Sequence, residues 1–409
     1  MLFKKKYFFI IFTLLIIVSS IFYFNQINKE KTLYFYAHKE MKIIVDKYEK
    51  ENPNINIKLI PLESEDDSRL KFILSSLKNQ NKQVDIIDTD VIWTNILANN
   101  DLIHPLDHYF SNEYLDRFLS PSLKANIIDS KLYGIPYRTD TGILYYRKDL
   151  LNKYDQKVPK TYEELIEISK TIQKNEDIYG YGGSWNNYEG LTCNALEIFW
   201  SYGGKIELKN KKIIFNTKQN IKALKTMKKL INKNIAHPEI LNFYSGNLRK
   251  EFLNGNLIFM RDWPTGWEKI EESNLKDKVG IKFLPYGALT GENKGTLGGW
   301  QLMVSKKSKY KDEAIDFIKF FVSYNVNKEF IINKTYLPVQ KKLYNDKDVI
   351  KKMPFIKRNI ALFSNSKSRP AINNYENFSK LFTDYLTQYL KSNITISELI
   401  EKIENISIK

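Results

Sequence analysis

At 409 residues the chain is long enough for two hydrophobic cores, and 43% hydrophobic with 27% charged residues describes a globular protein rather than a disordered one. The net charge of +16 raises the question of nucleic acid. The lysines, however, are spread along surface faces (Lys228-Lys229, Lys306-Lys307, Lys341-Lys342, Lys351-Lys352) with no basic-aromatic patch, so nucleic acid is excluded in favour of a solvated basic surface near an anionic membrane.

Residues 1–28 stand apart from the fold. Lys4-Lys5-Lys6 precedes an apolar run, Tyr7 to Phe24, interrupted only by Thr13, Ser19 and Ser20. That is the length of a membrane helix with its positive flank inside. Cleavage after Ser19-Ser20 is the alternative, but the run stays apolar beyond it, so an uncleaved anchor is expected, with the rest of the chain outside the cytoplasm.

Beyond the anchor, Thr32–Tyr36 reads as a strand. Met41, Ile44, Val45 and Tyr48 recur at helical spacing until Asn52-Pro53 ends the helix. Ile55, Ile57 and Leu59 alternate as a second strand. Leu70, Ile73, Leu74 and Leu77 mark a second helix, and Val84–Asp88 a third strand. This β-α-β-α-β order predicts an α/β fold with a mostly parallel sheet flanked by helices. Asp88-Thr89-Asp90 closes the third strand, where such folds place ligand groups. Asp88 suits a structural strand-end role, Asp90 is the ligand candidate, and Trp93 is expected to pack inside.

From Tyr133 to Leu151 a Gly/Pro turn leads into the polar stretch Thr139-Asp140-Thr141-Gly142 and then an alternating strand. The polar stretch is read as a hinge, with Asp140 at the mouth of a cleft. Thr161-Tyr162-Glu163-Glu164 is a capping box opening a helix that turns Leu165, Ile168 and Ile172 inward. The helix Leu191–Tyr202 stops at Gly203-Gly204 and carries the only cysteine, Cys193. Among Leu191, Leu196 and Phe199 this thiol reads as a small buried apolar residue, and no disulfide within the chain is possible.

Leu224, Met227, Lys228 and Ile231 start another helix, with Lys228 at the edge of its face. Leu257–Met260 and Val279–Phe283 are strands, and Pro285–Gly299 is a second crossover candidate followed by a strand at Trp300–Val304. Ala314, Phe317, Ile318 and Phe321 mark a helix, and the tail is helical over Tyr375–Leu390 and Ser397–Glu404. Trp263 and Trp300 lie in glycine-rich turns, where an indole can offer its flat face to a ligand, although most tryptophans serve as core. G-x-S-x-G, H-E-x-x-H, P-loop and clustered metal-ligand signatures are missing, so neither cofactor nor metal is expected. A glycosidase would need two facing carboxylates, which Asp90, Asp140 and Glu189 could supply.

Together these blocks resemble the bacterial family 1 extracellular solute-binding proteins of ABC transporters, and in particular their trehalose/maltose-binding branch. The resemblance rests on Tyr48-Glu49-Lys50-Glu51-Asn52-Pro53, Thr139-Asp140-Thr141-Gly142 with Tyr145-Tyr146-Arg147-Lys148-Asp149-Leu150-Leu151, Tyr188-Glu189-Gly190-Leu191, Trp200-Ser201-Tyr202-Gly203-Gly204, Arg261-Asp262-Trp263-Pro264, Thr296-Leu297-Gly298-Gly299-Trp300 and Arg369-Pro370, in that order. It implies a two-lobed, type II periplasmic-binding-protein fold with the ligand in the cleft. The lobes would be 29–139 with 298–336, and 140–297 with 337–409. It also implies a monomer that binds a di- or oligosaccharide, hands it to permease subunits and does no chemistry itself.

Carried over by position, the sugar contacts are Arg69, Asp90 and Asp140 to hydroxyls, Trp263 and Trp300 as stacking planes, Gly299 through its backbone and Arg369 from the last segment. Tyr188 and Glu189 would be neighbours of the cleft. Three departures stand out. Arg138 occupies a position usually aromatic, Ala37-His38-Lys39-Glu40 lacks the acidic contact of the first helix, and no lipid-anchor cysteine follows the apolar run. A non-sugar solute such as a peptide or polyamine, and a secreted carbohydrate-active enzyme, are the rival readings.

Overall fold

The computed structural model describes residues 31–62, 67–287, 291–357, 359–372 and 374–408. The expected N-terminal membrane segment lies outside them. Among the described residues no helix is long and apolar enough to cross a membrane. By internal contacts the described residues divide into two compact units, one within 31–88 and 304–321, the other within 89–303 and 322–408.

In the first unit the strand Lys31–Ala37 pairs in parallel with Ile55–Pro61 on one side, and through Phe35 and Tyr36 with Ile86 and Ile87 on the other. The expected β-α-β-α-β order is therefore present, with helices Lys42–Glu51 and Asp67–Lys78 between the strands. Ile44, Val45 and Tyr48 are buried on one helix and Leu70, Ile73 and Leu77 on the other, as their 3.6-residue period requires. The third strand runs Ile86–Asp90, two residues later than the sequence pattern suggested.

Asp85, just before that strand, accounts for the shift. Its carboxylate accepts the Tyr34 amide at 2.9 Å and the Ser308 hydroxyl at 2.5 Å, and its carbonyl accepts the Ser305 amide at 2.9 Å. It thus stitches the returning segment 304–321 to the sheet, while its own amide donates to the Tyr34 carbonyl at 3.0 Å. The helix Lys311–Phe321 completes this core, with Phe317 edge-on to Phe35 at 5.4 Å and to Tyr48 at 5.2 Å.

In the second unit a four-stranded sheet has the order Val279–Lys282, Ile143–Arg147, Leu257–Asp262, Tyr179–Gly182. Its first two pairings are antiparallel and its last is parallel. Helices Tyr162–Gln173, Glu189–Ser201, Lys218–Asn232, Tyr375–Leu390 and Ile396–Glu404 share one apolar core, with the Phe382 ring against those of Phe199, Phe215 and Phe378.

Local signals explain several ends. Thr161 accepts the Glu164 amide at 3.1 Å, while the Glu164 carboxylate returns to the Lys160 amide rather than to that of Thr161, a box displaced by one residue. Gly203, at φ +77°, ends the Glu189–Ser201 helix in the left-handed region. Lys228 sits at the edge of its helix as expected, and its ammonium donates to the carbonyls of Tyr389 and Leu390 at 2.8 and 2.7 Å, capping the end of Tyr375–Leu390.

The expected polar hinge is itself a strand. Ile135–Thr141 is buried along its whole length and runs antiparallel to Gly295–Val304, pairing Asp140 with Gly298, Thr139 with Gly299 and Arg138 with Trp300. The second crossover is likewise strand from Gly295 on, five residues before the strand expected at Trp300. Alternation and hydropathy missed both, because these strands are polar yet covered, with their backbone groups satisfied by each other. Only Gly142 separates Ile135–Thr141 from Ile143–Arg147.

Candidate functional site

The paired strands Ile135–Thr141 and Gly295–Val304 carry three of the eight expected site residues of the second unit, Asp140, Gly299 and Trp300. Asp140 is 8% exposed, and Oδ1 accepts the amide of its own neighbour Thr141 at 3.1 Å, its one hydrogen bond among the described residues. Burial pushes its carboxyl up to about 7. Arg138 and Arg249 pull against that shift and Asp262 adds to it. A covered acceptor of this kind is suited to neutral hydroxyl donors.

Trp263 follows the strand Leu257–Asp262 and is partly exposed. Its carbonyl accepts the Tyr145 hydroxyl at 2.9 Å, and the Arg261 guanidinium lies 4.3 Å from its ring centroid. Gly298 brings the two residues together, since a Cβ there would meet the Asp140 Cβ and the Trp263 ring edge, each at 3.1 Å. Gly299, at φ +138°, adopts a backbone that side chains rarely take, and a Cβ there would lie 2.8 Å from the Arg138 carbonyl.

Trp300 is only 5% exposed. Its ring meets Trp93 edge-on at 5.9 Å, and the Arg138 guanidinium sits 5.3 Å from its centroid. Arg138, the departure from the usual aromatic, is buried and stacks on Tyr336 at 4.2 Å. A planar cation therefore occupies an aromatic environment.

Arg369 draws three segments together. Nη1 donates to Glu189 at 2.9 Å, and Nη2 to Asp90 at 3.2 Å and to the Leu297 carbonyl at 3.3 Å. Asp90 also accepts the Ile92 amide at 3.0 Å, so it caps the turn that follows its strand. Burial raises its carboxyl despite the opposing charge of Arg369. Glu189 further accepts the hydroxyls of Tyr375 at 2.7 Å and Ser379 at 2.5 Å. Of the three acidic candidates, two are thus shared by one guanidinium and Asp140 alone has no cation at ion-pair distance among the described residues. Tyr188 is partly buried and lies 4.7 Å from the Tyr244 ring.

Arg69 belongs to the first unit, where it is buried beside Asp88. Nη2 donates to that carboxylate at 3.2 Å, and Nη1 to His38 Nε2 at 2.7 Å. Because arginine can only donate, the His38 proton sits on Nδ1 and is given to Asp88 at 2.6 Å. Burial works against ionisation of Asp88, but the His38 hydrogen bond and the Arg69 charge outweigh it and hold the carboxyl below its usual range. Asp88 has the structural role its position suggested, and His38 fills part of the quartet where an acidic contact was missing.

Sequence reading passed over Glu197 and Tyr336, and it took Arg261 as part of a motif without a role. Glu197 and Arg261 form a buried bidentate pair with a 2.7 Å contact from Nε. A lone charged residue in the otherwise uncharged run from Gly190 to Ser201 was the available signal. Burial pushes the Cys193 thiol well above its ordinary value, in keeping with an inert core residue. Among the described residues no group of His, Cys, Asp and Glu could hold a metal ion.

Residues 37–328 match the profile of a family described as bacterial extracellular solute-binding protein. A probable ABC transporter-binding protein of Deinococcus radiodurans is 33% identical over 341 residues, covering 81% of this chain and 80% of its own. The multiple sugar-binding protein of Streptococcus mutans is 24% identical over 318 residues, covering 71% and 70%. Among solved structures, maltose-bound MalE3 of T. maritima matches with a TM-score of 0.82 at 29% identity, covering 91% of this chain and 98% of that one. The GacH receptor of Streptomyces glaucescens matches at 0.76 and 21%, covering 92% and 97%, a likeness of fold alone.

Proposed function

This chain belongs to the bacterial extracellular solute-binding proteins, and on that premise we propose that it captures a di- or oligosaccharide of the trehalose/maltose kind for an ABC importer. Its fold is the one it shares with the maltose-bound T. maritima protein, the type II periplasmic-binding-protein class. The observation that carries the reading is Asp140 beside Trp263. A covered carboxylate with no cation at ion-pair distance among the described residues, and a partly exposed indole that borders the same space over Gly298, match the two faces of a sugar, hydroxyls on one side and C–H groups on the other. The maltose bound to the similar T. maritima protein and the similarity to the multiple sugar-binding protein of Streptococcus mutans support it.

In this reading the lobes are 29–139 with 298–336 and 140–297 with 337–409, and closure about the Ile135–Thr141 and Gly295–Val304 strands removes water from the hydroxyl–carboxylate bonds. Asp90, Tyr188, Glu189, Gly299, Trp300 and Arg369 would complete or support the sugar site from around Asp140, and Arg69 would bind hydroxyls from the first lobe. The loaded monomer would dock on permease subunits outside the cytoplasm, tethered by the segment 1–28. It would catalyse nothing.

A melting series of the purified protein against trehalose, maltose, sucrose, maltotriose, glucose and a polyamine tests this. A ligand at about a hundred times its dissociation constant adds roughly 2.7 kcal/mol of stability, a shift that is readily measured. Stabilisation by one disaccharide supports the reading. No response to any sugar, or turnover of one, overturns it.

A further inference from the structure

We infer that the buried Glu197–Arg261 pair is a positioning device for Trp263, a rigid cationic backing that leaves one indole face for a ring. The inference rests on the sugar-binding reading above.

Arg261 Nε donates to Glu197 Oε2 at 2.7 Å, and Nη2 bonds the other carboxylate oxygen. Glu197 Oε1 also accepts the Thr296 amide at 2.8 Å. Both side chains are closed off from water. A salt bridge so deeply buried is weak evidence for stability, because desolvation offsets the attraction and an apolar pair of similar volume often serves as well. Its placement supplies another role. The guanidinium stands 4.3 Å from the Trp263 ring centroid and covers one face, while Gly298 limits the ring edge and the Tyr145 hydroxyl holds the backbone carbonyl. Because the ring stays partly exposed, a ligand can be received only on the face away from Arg261.

The pair also lies directly under Gly142, where any Cβ would run into the Glu197 carboxylate and the Arg261 guanidinium. The chain after the Ile135–Thr141 strand, the start of Gly295–Val304 at Thr296, and Trp263 are therefore all seated on one ion pair. Fixing an aromatic before the ligand arrives spares the ordering cost of binding. Lysine cannot replace arginine here, having neither the planar fork nor the flat stacking surface.

The test uses the full-length protein with maltose and trehalose as probes. Arg261→Lys and the double variant Glu197→Leu/Arg261→Met are measured for urea midpoint, sugar Kd, and acrylamide quenching of the emission that disappears in Trp263→Phe. The double variant is included because it removes both buried charges and keeps the volume. Both variants should bind sugar about tenfold more weakly and show a more quenchable Trp263, with the double variant near the wild-type midpoint. Wild-type Kd and quenching with only a lower midpoint would reduce the pair to a structural role and overturn the inference. If the wild type binds neither sugar nor any other sugar of the melting series, the sugar reading fails, and Trp263 quenching without ligand still decides whether Arg261 positions the ring.

Discussion

Asp140 and Trp263 share the space left by a missing side chain, for a Cβ on Gly298 would stand 3.1 Å from both the Asp140 Cβ and the Trp263 ring edge. The next residue obeys a different constraint. Gly299 holds φ at +138° over the Arg138 carbonyl, so its requirement is conformational. Gly299→Ala should therefore cost stability, of order 1–3 kcal/mol in urea denaturation. Gly298→Ala should leave the denaturation curve nearly unchanged and weaken sugar binding, because the displaced groups are the indole and the carboxylate. Equal effects of the two substitutions on both measurements would contradict this separation.

Asp140 also predicts a dependence on pH. Its carboxyl is raised from 3.8 to about 7 in the folded protein, first by burial, with Arg138 opposing. Between those values the native state holds a proton that the unfolded chain has lost, so this contribution to stability is present below about 4 and is lost as the pH rises through about 7. At about 1.4 kcal/mol per unit the contribution reaches a few kcal/mol. Asp140→Asn should flatten that part of the stability profile. Hydroxyl donors from a sugar favour the ionised carboxylate, so binding should release a proton and tighten from pH 6 to 8. Titration calorimetry in two buffers of different ionisation enthalpy reads the proton count, and a count of zero near pH 7 would refute it.

The elements legible in the sequence were those where burial and polarity coincide. The helices with Ile44, Val45 and Tyr48, with Leu165, Ile168 and Ile172, and with Ala314, Phe317, Ile318 and Phe321 bury the residues their period singled out. The strand Ile135–Thr141 and the first half of Gly295–Val304 were not legible as strands, because Thr139-Asp140-Thr141 is polar yet covered and Gly295–Gly299 is mostly glycine. Asp140 and Trp263 could be singled out by residue type and by glycine nearby. The Glu197–Arg261 pair could not, since it joins positions 64 residues apart and neither lies in a pattern that polarity explains.

Arg369 is expected to hold its neighbourhood as well as any ligand. Its guanidinium meets Glu189, Asp90 and the Leu297 carbonyl. Glu189 keeps Tyr375 and Ser379 when the arginine is removed, whereas Asp90 keeps only the Ile92 amide and loses its counter-charge. Arg369→Gln should cost about 1.5–3 kcal/mol, the range for hydrogen bonds to charged groups. Adding Asp90→Asn should recover part of that loss, because the carboxyl left without its cation is removed. A double-mutant cycle in urea checks the coupling, and strict additivity would show that Asp90 does not depend on Arg369.

Trp263 and Trp300 look alike in the sequence, each an indole beside glycine or proline, but their surroundings in the structure differ. Trp300 is 5% exposed, edge-on to Trp93 and flanked by Arg138, so its removal opens a cavity. Trp300→Ala should cost about 3–5 kcal/mol of stability, as large-to-small core substitutions do. Trp263 is partly exposed with one face already covered by Arg261, so Trp263→Ala should cost less stability and more affinity. Trp300→Phe, which keeps an aromatic ring against Trp93, should restore most of the stability lost in the alanine variant. Parallel denaturation and sugar titration of the three variants separate the two duties. If Trp300→Ala were the more stable of the two alanine variants, the assignment of Trp300 to the core and of Trp263 to the ligand would have to be exchanged.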